Sequence, residues 1–97
     1  MSRRFPETHR RDCNHDEIKD QLESTPGLRV YDTHNLSGLA DLLVWRDAVG
    51  WWALVEIKSS PRDKLTPSEE KTRDTFGEHW LRADCVEDVL KAAGLMG

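Results

Sequence analysis

The chain has 97 residues, 37% hydrophobic and 33% charged, with four tryptophans and a net charge of −4 at pH 7. This length gives one domain with a modest core that buries roughly 60–65% of the surface exposed on unfolding, and clear apolar runs exclude disorder throughout. The acidic balance excludes a uniformly basic surface of the kind that coats nucleic acid, and no apolar run is long enough to cross a bilayer.

Residues 1–13 read as a basic N-terminal arm, its first eleven residues setting Arg3, Arg4, Arg10 and Arg11 against Glu7, with a break at Pro6. Residues 14–97 form the folded domain. Its first helix is predicted from Asn14 to Ser24, with Asn14 as N-cap, Glu17 completing a capping box, and Pro26-Gly27 as the stop. Leu28–Thr33 alternates as a strand does, and the polar loop His34–Gly38 follows. Ala40–Arg46 is the second strand, Asp47–Gly50 a turn, and Trp51–Lys58 the third strand. Thr66-Pro67-Ser68-Glu69 opens the second helix as cap, first-turn proline and capping-box acid. Trp80–Cys85 is a last strand, and Val86–Ala93 a closing helix stopped by Gly94. The expected class is α/β, in the order α-β-β-β-α-β-α, a mixed sheet flanked by helices.

The hairpin carries the chemistry. A turn centred between Ala48 and Val49 pairs residues whose numbers sum to 97, so Trp45 faces Trp52 and Asp41 faces Glu56. Alternation puts Lys58 on the face of Glu56. Opposed carboxylates destabilise a sheet unless positive charge lies between them. Lys58 supplies part of that charge, and a divalent cation would supply the rest. Asp41 and Glu56 holding a metal, with Lys58 acting on water or phosphate, is a combination suited to phosphodiester cleavage. A surface salt bridge is the bland alternative for a short D…ExK pattern.

These residues resemble the PD-(D/E)XK nuclease superfamily, in particular its small stand-alone VRR-NUC group of phages and bacteria. The matching text is Gly38-Leu-Ala-Asp41-Leu-Leu-Val, Val55-Glu-Ile-Lys58 and Leu65-Thr-Pro67, in that order. The resemblance implies a restriction-endonuclease-like core, dependence on Mg²⁺ or Mn²⁺, and endonucleolytic cleavage of DNA, branched or four-way-junction DNA above all, by a homodimer. Asp41 and Glu56 would be metal ligands, the Ile57 backbone carbonyl another, and Lys58 the catalytic lysine. It also points to Glu17 as a ligand, a position the capping box explains equally well. Ala40 stands where the group usually has proline, and Glu69 where many members have glutamine.

Arg62 and Lys64 join the arm arginines as candidate phosphate contacts. His34 and Asn35 fall in the loop before Gly38, as phosphate contacts or plain loop. Trp45 and Trp52 read as a core pair, and Trp51, on the opposite face, as an interface residue. His9, Cys13, His15, His79 and Cys85 fit no zinc template. Cys13 and Cys85 form neither a CxxC pair nor a disulfide framework. With no signal-peptide pattern, the expected compartment is the cytoplasm of a bacterium or phage-infected cell. The rival reading is a non-catalytic nucleic-acid-binding or accessory interaction module that retains the fold.

Overall fold

The computed structural model describes residues 7–36, 38–60 and 62–96, with side chains from His15 onward. Three helices and four strands follow in the expected order: α1 (Glu7–Glu23), β1 (Leu28–Asp32), β2 (Leu42–Arg46), β3 (Trp51–Ile57), α2 (Pro67–Phe76), β4 (Trp80–Ala83) and α3 (Val86–Ala92). The sheet runs β1-β2-β3-β4. Its first two pairings are antiparallel and the β3–β4 pairing is parallel, which requires a crossover, here carried by α2.

The hairpin register is the one the turn dictates. Gly50 takes the left-handed conformation, φ 68°, and its N–H closes on the Asp47 carbonyl. Trp45 then pairs with Trp52 and Leu42 with Val55. Alternation sends Leu42, Val44, Val55 and Ala83 to one face, where Ile18 and Leu22 of α1 and Val89 of α3 close the core. Leu22, Leu42, Val44, Val55 and Val89 are completely buried. The other face carries Leu54, Glu56, Trp52 and Trp45. It is only partly covered, leaving Trp45 and Tyr31 exposed.

Two expectations give way here. Helix α1 begins at Glu7, so Asn14 is interior and caps nothing, and residues 7–13 of the expected arm are helical backbone. Arg10 and Arg11 thus sit on α1 with side chains outside the described residues, and Arg3 and Arg4 lie outside them altogether. Among its described side chains Ile18 and Leu22 anchor the helix, and its first turns are polar in sequence, so apolar periodicity could not mark where they start. The tryptophan assignment is reversed as well. Trp51 packs against the core cluster, whereas Trp45 is 40% exposed. Trp51 shares the face of Ala53 and Val55, and the adjacent Arg46 is drawn inward by a 2.7 Å bond to the Ala93 carbonyl. On the opposite face Trp52 stacks on His79, with ring centroids 4.0 Å apart.

Packing on opposite faces predicts unequal costs of truncation. Trp51→Ala should destabilise by about 2 kcal/mol or more, and Trp45→Ala by less than about 1 kcal/mol. Urea unfolding of the two variants checks this, and equal losses would contradict the assignment of faces.

Candidate active site

The site assembles where β3 ends. The loop before β2 is pinned on both sides: Thr33 donates from its N–H to the Asp41 carbonyl and from Oγ1 to the Ala40 carbonyl, both at 2.9 Å. Thr72 Oγ1 of α2 donates to the Gly38 carbonyl at 2.7 Å. Gly38 has φ +79°, with the Ser68 hydroxyl 3.6 Å from where a Cβ would stand, so only glycine passes this corner without strain.

Asp41 lies one residue outside β2, at the end of that loop. Its N–H reaches the Val55 carbonyl at 3.1 Å, and its Oδ2 accepts the Ile57 N–H at 2.8 Å. The ladder therefore stops at Leu42–Val55, one step short of the direct Asp41–Glu56 opposition that the register suggested. The two carboxylates are brought together all the same, because Asp41 bends across the end of β3. Ile57 takes part through its N–H, as the group that fixes Asp41.

Glu56 is 8% exposed although it lies on the sheet face away from the core. Burial pushes its carboxyl up to about 8. The charge of Asp41 and a hydrogen bond with Glu69 add to this, and Lys58 opposes it. Lys58 follows β3, with its N–H on the Ala83 carbonyl at 3.0 Å. Its ammonium donates to Glu69 Oε1 at 2.8 Å and stands 4.0 Å from Glu56 Oε2. Burial works against ionisation of Glu69, yet the hydrogen bonds from Lys58 and the Thr66 N–H outweigh it and hold that carboxyl below its usual range. The two carboxyls are thus pushed apart, Glu56 toward the protonated form and Glu69 toward the ionised one.

Asp41, Glu56 and Glu69 open on one cleft of about 210 Å³, with His34, Thr66 and Ser68 also on its walls. In the sequence Glu69 reads as a helix cap, and it is one: Thr66 N–H donates to Glu69 Oε1 at 2.8 Å, and Glu69 N–H to Thr66 Oγ1 at 3.2 Å. The same oxygen also holds Lys58. A third-position acid at the start of the helix that follows an ExK strand is the signal that could have placed it there. Glu17 is exposed on α1, and α1 packs on the core face. It is not among the residues lining the cleft, and its capping-box explanation lapses with Asn14. Arg62 and Lys64 are exposed on the loop after Lys58.

Among the described residues no group of three or more His, Cys, Asp or Glu side chains is arranged to hold a metal ion. Two carboxylates on an open cleft nevertheless match the donor set of Mg²⁺ or Mn²⁺, which take one or two carboxylates and fill their remaining positions with water and phosphate oxygens. The raised pKa of Glu56 comes first from its burial and then from the charge of Asp41. The donors fit the ion. Comparison with protein-family models, curated proteins and solved structures finds no match to this chain.

The proton on Glu56 makes metal-free stability fall with pH. Its contribution is complete below about pH 4.5, where Glu56 is protonated folded and unfolded alike, and is lost as pH rises to about 8. Every tenfold gain in proton affinity on folding corresponds to roughly 1.4 kcal/mol, so the loss is on the order of a few kcal/mol. Glu56→Gln should flatten the slope and exceed the wild type in stability at pH 8. Urea unfolding in EDTA at pH 5 and pH 8 measures both. A variant less stable than wild type at pH 8 would identify Glu56 as half of a structural ion pair.

Proposed function

We propose that this chain is a small metal-dependent deoxyribonuclease with a restriction-endonuclease-like core of the VRR-NUC kind. The observation that carries the reading is the buried Glu56, its carboxyl pushed up to about 8, beside Asp41 on an open cleft, with the Lys58 ammonium 4.0 Å from it. A simple salt bridge does not account for it, since a carboxylate satisfied by its lysine is pushed down in pKa rather than up.

Asp41, Glu56 and the Ile57 carbonyl would hold Mg²⁺ or Mn²⁺, which supplies a Lewis acid that polarises the phosphoryl group and acidifies a water. Glu56 would have to lose its proton to serve as a ligand, so metal affinity would rise with pH. Asp41 is held ready by the Ile57 N–H. Lys58 stabilises charge that develops on the phosphate, and Glu69 keeps its ammonium at the end of β3. Arg62, Lys64 and the basic residues Arg3, Arg4, Arg10 and Arg11 contact backbone phosphates. The substrate is branched or four-way-junction DNA. Incising both strands of such a substrate calls for two sites, hence a homodimer, and the exposed Tyr31–Trp45 face replaces Trp51 as its interface.

The rival, a non-catalytic nucleic-acid-binding module, draws on the ion pair that already engages Lys58. Cleavage gels with linear, flapped and four-way-junction DNA in Mn²⁺ or Mg²⁺ decide between them. Asp41→Asn and Glu56→Gln should abolish cleavage. Lys58→Ala should lose cleavage while keeping the Mn²⁺-induced rise in melting temperature, a rise that Asp41→Ala removes. Wild-type cleavage by Lys58→Ala would refute the role given to the lysine.

Replacing Arg3, Arg4, Arg10 and Arg11 by glutamine should weaken junction binding and flatten its salt dependence, by about 0.9 in log–log slope for each phosphate no longer neutralised. Unchanged affinity and slope would remove these arginines from the interface. Light scattering should give the mass of two chains, and a monomer with DNA and metal present would end the dimer proposal.

A further inference from the structure

His34 stands on the loop wall of the cleft, facing the space that Asp41, Glu56 and Glu69 also line. Its side chain is 54% exposed and is tied to Asp32. The His34 N–H donates to Asp32 Oδ1 at 3.1 Å, and the His34 Nδ1 meets the same oxygen. Hydrogen bonds from the His34 ring and backbone hold the Asp32 carboxyl below its usual range, so it stays ionised and can only accept. A carboxylate oxygen accepts, so the tautomer that satisfies this contact carries its hydrogen on Nδ1. The ring of His15 stands edge-on to that of His34, with centroids 6.1 Å apart and planes at 79°, which limits its swing. A carboxylate that commits Nδ1–H of a histidine fixes the tautomer and orientation, leaving Nε2 to exchange protons with whatever occupies the cleft.

Neither the two carboxylates nor Lys58 answers one requirement of the proposed reaction. The oxygen leaving a DNA phosphodiester is a sugar alkoxide, a poor leaving group unless it is protonated as the bond breaks. Resting on the hydrolase reading above, we propose that His34, oriented by Asp32, is a further catalytic residue that protonates this oxygen. A water oxygen forms the new bond to phosphorus and releases its proton to solvent. The bond from phosphorus to the sugar oxygen breaks, and that oxygen takes the proton from His34 Nε2. His34 recovers a proton from solvent at Nε2, while its contact with Asp32 holds the ring in place. The sum is hydrolysis, with water as the only co-reactant.

The decisive experiment compares two substrates with wild type, His34→Ala and Asp32→Asn. One is ordinary branched DNA. The other carries a single sulfur in place of the leaving bridging oxygen, that position being known from whether the products end in 5′- or 3′-phosphate. A thiolate departs without a proton. His34→Ala should be about 10²-fold or more slower on ordinary DNA, within the range for general acid catalysis, yet within a few-fold of wild type on the sulfur substrate. Asp32→Asn should show the same pattern more weakly, and both variants should keep the Mn²⁺-induced rise in melting temperature. A wild-type rate for His34→Ala on ordinary DNA overturns the proposal. An equal loss on both substrates also overturns it, since that reports a phosphate contact rather than a proton donor. If wild type cleaves neither substrate, the hydrolase reading falls and takes this role with it.

Discussion

The site depends on burying one carboxyl group, that of Glu56, at the end of β3. Burial without compensation is costly for an ionised carboxylate, and the usual response is to take up a proton. Here Asp41 makes ionisation harder still, and Glu69 accepts the resulting hydrogen bond. The end of the hairpin is thus a place where two carboxyls share a cleft and one of them favours its proton. Strain of this kind persists only where the surroundings fix it. They do so through the Ile57 N–H on Asp41, the Ala83 carbonyl on the Lys58 backbone, and the Thr72 hydroxyl on the Gly38 carbonyl.

Glu69 shows how local and tertiary structure share atoms. Capping explains its side chain completely at the level of the helix, since Oε1 satisfies the Thr66 N–H. That same oxygen holds the Lys58 ammonium. The start of α2 is therefore tied to the end of β3 by a charged hydrogen bond, and the loop between them carries Arg62 and Lys64 outward. Loosening the cap would move the lysine, which joins helix stability to the electrostatics of the cleft.

The sheet divides its labour by face. One face supplies the core with α1 and α3, and the other supplies the site together with an incompletely covered aromatic surface. In a small domain apolar area is too scarce to cover both faces, so the cleft and the exposed aromatics fall to the less protected one. Placing the cleft there also leaves it open to solvent, which a site enclosed in the core would not be.

Local rules in the sequence determined much of this. Thr66, Pro67 and Glu69 fix the start of α2 by capping. Gly50 fixes a four-residue turn, and with it the register that brings Asp41 near Glu56. These features act over a few residues, so they can be read without a fold. The start of α1 could not be read in this way, because a mostly polar helix held by Ile18 and Leu22 carries no periodic signal in its first turns. Nor could the burial of Trp51 and exposure of Trp45, since alternation separates two faces without saying which one the helices cover. Only the tertiary structure brought Glu69 to Lys58 and set His34 with Asp32 on the cleft. Such contacts depend on how the loop and α2 pack against the end of β3, a matter of long-range geometry rather than of neighbouring residues.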